Sequence, residues 1–162
     1  MKRDFDVFAT LWERYHGDIY RYLHTRLQNT WDVEDALQTT ALKAAGSFDR
    51  LKDEKKAKSW FFAIAVNVIH DFYRKRKTEI SIEAFPNIIA DGDDRTQQYS
   101  DVRITVYEYV KKLPSVKQNL FFLYIQKSLT VKEIAKALDI GYSTARKWLS
   151  EIKDELAERI QG

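Results

Sequence analysis

Apolar residues recur at intervals of three and four along most of the chain, the spacing of helices that bury one face. The first run covers residues 5–27. A second begins near Thr30 or Asp32, either of which can cap a helix, and ends at Gly46. A charged loop over residues 49–58 follows. The pattern therefore predicts helices throughout the first third of the chain.

The helix predicted over residues 59–77 has two different faces. Its apolar positions fall on one side and are Phe61, Ile64, Ala65, Val68 and Phe72. Its polar positions follow one another by three, four and three and are Asn67, His70, Arg74 and Lys77. Four consecutive cations, at positions 74–77, end it. One face can pack into a core while the other meets an anionic partner.

The helical pattern is lost over residues 78–100, where Pro86 and an acidic run at 91–94 interrupt any period. This composition predicts a mobile acidic linker. Helices resume near Asp101 and are interrupted at Pro114, which suits the first turn of a new helix. We therefore expect an all-α protein of two small helical domains, residues 1–77 and 101–162, joined by a flexible linker.

The C-terminal domain contains a predicted helix-turn-helix. Thr130 and Glu133 have the spacing of a capping box, and Gly141 can supply unusual backbone angles in the turn before the next helix. Such a motif lays the start of its second helix in the major groove. Arg146 or Lys147 could donate to guanine and Glu151 could accept from cytosine. Two packed helices with a solvated face are the alternative without function.

Charge and composition narrow the class of protein. The chain has 162 residues, a net charge of +3 and no cysteine, which excludes disulfides and thiolate metal sites. Residues 1–77 and 111–162 are basic, whereas residues 78–110 carry 2 Lys/Arg against 7 Asp/Glu, a pattern that fits two modules on one polyanion. No secretion signal or membrane-length apolar run is present, so we expect a cytoplasmic protein. The three histidines form no metalloprotease motif, and no glycine-rich phosphate loop exists. We expect neither an enzyme nor a cofactor or metal.

With both halves in view, the chain resembles the RNA polymerase sigma factors of the sigma-70 family, in its short extracytoplasmic-function (ECF, group IV) class. Residues 32–43 resemble the core-binding region 2.2, and residues 60–74 resemble the aromatic, Asn, Asp and Arg signature of regions 2.3 and 2.4. Leu113-Pro114 with the helix-turn-helix is similar to region 4. Asp139 stands where the family usually has a turn glycine, and Asp tolerates left-handed geometry. The end of the second helix departs from the family's Arg and His cluster in having Ser150, Glu151, Asp154 and Glu155.

The resemblance implies a non-catalytic subunit that binds the clamp and flap of core RNA polymerase and the −10 and −35 elements of promoter DNA. It implies −10 contacts by Lys55, Lys56, Lys58, Trp60, Asn67, His70, Asp71, Arg74, Lys75, Arg76 and Lys77. It implies −35 contacts by Tyr142, Ser143, Thr144, Arg146, Lys147 and Glu151. The implied contacts with core polymerase are Asp32, Glu34, Asp35, Gln38 and Leu42. An anti-sigma factor is expected as a further partner on the resemblance alone.

Two other readings of the residues remain open. A stand-alone helix-turn-helix regulator with an N-terminal sensing or dimerising domain would account for residues 113–160 but not for the polar face of residues 67–77. A helix lying on an anionic membrane surface is the second alternative, because basic amphipathic helices bind such lipids.

Overall fold

The chain folds into helices joined by short turns. The structure, a computed structural model, describes residues 5–27, 29–76 and 97–162. Its helices are α1 (Phe5–Arg26), α2 (Thr30–Gly46), α3 (Ala57–Arg76), α4 (Gln97–Val110), α5 (Ser115–Gln126), α6 (Val131–Leu138) and α7 (Tyr142–Gln161). Two single-turn 3₁₀ helices, Phe48–Arg50 and Glu54–Lys56, connect α2 to α3, and the described ranges contain no strand. The all-α prediction is confirmed.

Helices α1, α2 and α3, here called the N-terminal half, pack around a core rich in aromatic rings. Phe61 of α3 is fully buried, with its ring centroid 6.1 Å from that of Phe8 and 5.5 Å from that of Trp12. Helix α1 continues through Gly17 without a break. Helix α2 is capped by Asn29, whose side-chain oxygen accepts from the Trp31 N–H at 2.8 Å. The expectation that Thr30 or Asp32 provides this cap was wrong, because the helix already begins at Thr30.

Helix α3 is buried on more than the one predicted side. Phe61, Ala65 and Val68 are buried as expected, but so are Phe62, Val66 and Ile69. Helix α3 contacts α1 and α2 in its own half and α6 in the other half, so neighbours surround much of its circumference. Sequence periodicity alone identified only one of these contact faces.

Helices α4 to α7, here called the C-terminal half, contain the expected helix-turn-helix. The capping box is present: the Glu133 N–H donates to Thr130 Oγ1 at 3.1 Å and the Thr130 N–H to Glu133 Oε1 at 2.8 Å. In the turn, Asp139 adopts the left-handed conformation with φ of 55°, whereas Gly141 has φ of −68° and precedes α7 as its N-cap. The expectation that Gly141 supplies the unusual angles was wrong, since Asp139 makes the turn.

The remaining boundaries differ from the predicted ones by a few residues. Pro114 is the N-cap of α5 and not part of its first turn. Helix α4 begins at Gln97, inside the segment predicted as linker, and the rest of that segment lies outside the described residues, as does Lys77. Within the described ranges no helix combines the length and apolar character needed to cross a bilayer.

The two halves contact each other directly. Helix α6 packs on α3 in the most extensive contact between any two described helices, and α5 packs on α1. Gln126 of α5 donates from Nε2 to the Asp18 carbonyl of α1 at 2.6 Å. Asn119 of α5 reaches both α1 and α3 through its side-chain amide. The DNA-binding candidate faces on α3 and α7 are therefore held in one arrangement by contacts between the halves.

Thr130→Ala should destabilise the protein by about 1 kcal/mol, because it removes the side-chain acceptor that satisfies the start of α6. Urea unfolding followed by circular dichroism measures this loss. Thr130→Ser keeps the hydroxyl acceptor and is the matched control. An equal loss in both variants would show that the methyl group of Thr130, and not the cap, provides the stability.

Candidate nucleic-acid interface

The polar face predicted on α3 is present in the structure. Asn67, His70 and Arg74 are all exposed and follow one another along one side of the helix. Asn67 forms no ion pair or hydrogen bond with another described side chain, so its amide is available to a ligand. The arrangement offers a donor and acceptor at mid-helix and cations at the C-terminal end, which suits a base beside a phosphate backbone.

The cations that end α3 are largely paired. Arg74 Nη2 lies 2.5 Å from Asp71 Oδ1, and Asp71 Oδ2 lies 3.5 Å from Lys43 Nζ of α2. Arg76 forms a two-pronged contact with Asp32 of α2, at 3.1 and 3.3 Å. The sequence did not indicate that Asp32, a predicted polymerase contact, is half-buried and paired with a predicted phosphate contact. Arg74 and Arg76 must therefore each break an ion pair with a carboxylate before they can bind a phosphate.

The loop before α3 has an ordered backbone and exposed lysines. Asp53 accepts from the Lys55 N–H at 3.0 Å, which fixes the turn, and the side chains of Lys55 and Lys56 face solvent. Lys58 is half-buried, with Nζ 3.9 Å from Glu133 Oε1 of α6. Trp60 is also half-buried. Lys58 and Trp60 both lie where α6 approaches the loop.

A crevice of about 520 Å³ separates this loop from the helix-turn-helix. Trp60 and Ala63 form one wall, and Lys136 and Ile140 form the opposite wall. Its lining includes four cations, Arg50, Lys52, Lys56 and Lys136, against two carboxylates, Asp53 and Asp139, so it is electropositive on balance. The crevice brings cations of the two halves together, which the sequence did not predict.

The outward side of α2 is a second exposed surface. Glu34, Asp35, Gln38 and Leu42 are exposed, as a partner contact requires. Trp31, which sequence reasoning missed, is 81% exposed, and Leu42 is 66% exposed. The positions 31, 35, 38 and 42 have the spacing of one helix face. That spacing, off the buried stripe of α2, is the signal that could have identified Trp31.

The start of α7 is a third exposed surface. Tyr142, Ser143, Arg146, Lys147 and Glu151 are exposed there, and Thr144 is half-buried. The Tyr142 ring has two cations near it, at 5.7 Å from its centroid to both Arg146 Cζ and Lys132 Nζ. Lys132, in the first turn of α6, was not predicted, although it follows the capping threonine by two positions. The first turns of α6 and α7 thus present a joint basic surface.

One of the acidic residues late in α7, Glu155, has a hydrogen-bond partner within the protein. Tyr109 of α4 donates from its hydroxyl to Glu155 Oε2 at 2.5 Å, and the Arg159 guanidinium lies 5.0 Å from the Tyr109 ring centroid. Burial, followed by the contact with Glu155, raises the pKa of Tyr109. Glu155 therefore fastens α7 to α4. Its negative charge has a structural partner, which accounts for one departure from the family pattern.

No three His, Asp or Glu side chains come together as a metal-binding group in the described part of the chain. The predicted residues instead form three surfaces: one on α3 and its loop, one on α2, and one at the start of α7. Several of the predicted residues form ion pairs or hydrogen bonds with other side chains of the protein that the sequence did not indicate: Asp32, Lys58, His70, Asp71, Arg74 and Arg76.

Comparison with known proteins shows which proteins this chain is similar to. Residues 11–79, which include most of α1 and all of α2 and α3, match the family model for sigma-70 region 2. RNA polymerase sigma factor SigZ of Bacillus subtilis strain 168 is 27% identical over 154 residues, 94% of this chain and 86% of the relative. The ECF RNA polymerase sigma factor SigW of the same organism is 24% identical over 173 residues, 99% of this chain and 92% of the relative.

A solved structure has the same fold. The sigma factor RpoE of Bartonella quintana, solved in complex with the anti-sigma factor NepR, aligns with a TM-score of 0.65 at 16% identity over 95% of this chain and 96% of that chain. The chain thus contains a match to sigma-70 region 2 and is similar over most of its length to curated RNA polymerase sigma factors. SigW and SigM of Bacillus subtilis, each 24% identical to this chain, are named as ECF sigma factors.

Proposed function

We propose that the chain is the promoter-specificity subunit of a bacterial RNA polymerase, acting in the cytoplasm without catalytic chemistry of its own. The observation that carries the proposal is the region 2 match over residues 11–79, which coincides with an exposed helix face and a polar, cation-ended α3. A stand-alone regulator gives no reason for this half. A lipid-bound α3 is disfavoured because its large apolar residues, Phe61, Phe62 and Ile69, are fully buried in the protein.

The outward face of α2 supports the proposed contact with core polymerase. Trp31 and Leu42 are large apolar side chains that no described residue covers, and acidic residues lie between them. An apolar contact ringed by charges is typical of a protein interface. We assign Glu34, Asp35, Gln38 and Leu42 to it, with Trp31 added, and place Asp32 at its edge.

The loop and α3 support the proposed role at the −10 element. Reading a base there requires extruding it from the stack, which costs a few kcal/mol that the pocket must offset. Asn67 can hydrogen-bond an extruded base, and the cations at the end of α3 can hold the adjoining phosphates. Trp60 offers an aromatic surface at the loop.

The start of α7 supports the proposed role at the −35 element. Arg146 and Lys147 are exposed where a recognition helix enters the major groove, and Lys132 of α6 adds a phosphate contact. Glu151 is exposed and can accept from cytosine, whereas Glu155 is committed to Tyr109. An anti-sigma factor that covers one or more of these surfaces is a further proposed partner.

Mixing the purified chain with core RNA polymerase and genomic DNA should give transcripts whose start sites share one upstream pattern. Mapping the 5′ ends with and without the chain measures this. Core enzyme alone is the control. A chain that binds duplex DNA tightly but does not bind core polymerase would contradict the proposal and favour the stand-alone regulator.

Leu42→Asp should weaken binding to core polymerase by roughly 10-fold or more, because an apolar side chain worth about 1.5–3 kcal/mol on burial is replaced by a charge. Titration of labelled chain with core enzyme measures the affinity. Ile104→Asp, at a residue of α4 that is 44% exposed, is the matched control and should bind normally. Similar losses in both variants would place the interface elsewhere.

Asn67→Ala should slow initiation roughly fivefold by removing a hydrogen bond worth about 1 kcal/mol, while binding to core polymerase is unchanged. Open-complex formation on a mapped promoter and core affinity are measured in parallel. Asn67 is exposed, so the substitution should leave the unfolding midpoint unchanged. Parallel loss of both activities would instead assign Asn67 a structural role.

A further inference from the structure

A buried polar network joins the two halves of the chain. Arg26 at the end of α1 is 4% exposed and Asn119 of α5 is 2% exposed. Arg26 Nη1 donates to Asn119 Oδ1 at 2.8 Å. The other side of the same amide meets His70 of α3, with 2.7 Å between Asn119 Nδ2 and His70 Nε2. One amide of α5 therefore contacts two helices of the N-terminal half, α1 and α3.

The chemistry of Arg26 fixes the direction of both hydrogen bonds. A guanidinium has only donors, so the amide oxygen of Asn119 must face Arg26. The amide N–H₂ group then faces His70 and donates to Nε2. Only a neutral imidazole can accept there, with its proton on Nδ1. Both hydrogen bonds of the Asn119 amide can be made in only one protonation state of His70.

Protonation of His70 leaves no orientation of Asn119 that satisfies both neighbours. An imidazolium donates from both nitrogens, so its Nε2–H would face the N–H₂ of Asn119. Turning the amide over would place that N–H₂ group against the donors of Arg26. Because Asn119 and Arg26 are buried, an unmade hydrogen bond there carries its full desolvation cost.

The surroundings of His70, like the hydrogen bond with Asn119, favour its neutral form. Arg26 faces it from α1, Asp71 and Arg74 lie on its own helix, and α5 presents the uncharged Asn119. Burial, and then Arg26, lower the pKa of His70 below its ordinary value of 6.5, against the opposing effect of Asp71. The closed arrangement thus binds fewer protons than one in which His70 is released from Asn119 and Arg26. Its stability is complete above the ordinary pKa and decreases as the pH falls through the lowered value.

We propose that Arg26, Asn119 and His70 form a latch that holds the two halves together while His70 is neutral and releases them when His70 is protonated. The latch itself is inferred from the hydrogen bonds among these three residues. Its role in regulating promoter binding rests on the proposed function. With the latch closed, α6 lies over the loop and covers part of Lys58 and Trp60, while His70 is occupied by Asn119. The closed chain therefore withholds part of its −10 surface, while the exposed face of α2 remains open to core polymerase.

Fluorescence energy transfer between labels in the two halves tests the latch on the full chain. The natural chain has no cysteine, so Ala45→Cys in α2 and Glu158→Cys in α7, both exposed, give two unique labelling sites. Transfer should be high at about pH 7.5 and fall reversibly at about pH 5, across the range in which histidine titrates. His24→Gln, which changes an exposed histidine of α1, is the control and should not alter this response.

Two substitutions distinguish the latch from a general effect of acid. His70→Gln offers an amide oxygen that accepts at every pH, so transfer should stay high throughout. Asn119→Asp offers a carboxylate that accepts from both Arg26 and a protonated His70, so acid should no longer open the chain. If His70→Gln opens with the same pH dependence as the parent, or if Asn119→Asp still opens in acid, the latch is refuted.

Chemical acetylation followed by mass spectrometry tests the covering of α3. The rate at Lys58 should rise several fold at acidic pH relative to Lys55, which is exposed in the closed state, and this ratio should not change in His70→Gln. An unchanged ratio in the parent chain would overturn the proposed covering. These measurements need neither polymerase nor DNA. Failure of the latch therefore stays distinguishable from failure of the proposed function, which the transcription assay measures.

Discussion

Arg26 carries a positive charge into the junction of α1, α3 and α5, and the arrangement of the two halves depends on how that charge is accommodated. Its guanidinium donates to Tyr22 and Asn119 and lies 4.5 Å from the ring centroid of Phe122. Its position in the last turn of α1 places the charge at the negative end of the helix dipole. Tyr73 of α3 donates to the Arg26 carbonyl, so the same residue also terminates α1 against α3. One residue thus connects the end of a helix, the core of the N-terminal half and the contact with the C-terminal half.

This charge is surrounded by neutral groups. Burial raises the pKa of both Tyr22 and Tyr73, which therefore remain neutral phenols, and no described carboxylate forms an ion pair with Arg26. Its Nε atom has no hydrogen-bond partner among the described residues. A buried cation that contacts only uncharged polar groups and aromatic rings contributes less to stability than an apolar residue of similar volume would. It does, however, restrict which groups of a neighbouring helix can pack against it. The Arg26 guanidinium consequently requires a hydrogen-bond acceptor from α5, which fixes the amide oxygen of Asn119 on its side. The N–H₂ group of Asn119 must then face His70, so this second hydrogen bond depends on the protonation state of His70.

Local patterns predicted local structure well and distant contacts poorly. The capping box of Thr130 and Glu133 follows from a spacing of three residues, and the polar face that contains Asn67 follows from helical periodicity, so both could be predicted directly from the sequence. The pairing of Arg26 with Asn119 spans 93 residues and depends on how two halves pack, which no spacing encodes. The second buried side of α3 could not be predicted either, because its contact with α6 adds no apolar spacing of its own to the sequence. The candidate surfaces were thus predictable as faces of helices, whereas their accessibility was not.

The ion pairs at the end of α3 bear on how binding to DNA would respond to salt. Arg74 is paired with Asp71 and Arg76 with Asp32, whereas Lys75 has no carboxylate within ion-pair distance among the described residues. A cation that leaves a carboxylate for a phosphate exchanges an ion pair within the protein for one with DNA, and the freed carboxylate then attracts a counterion from solution. Part of the entropy of counterion release from DNA is thereby returned. The logarithm of affinity should then fall less steeply with the logarithm of salt concentration than the number of cations on this helix suggests.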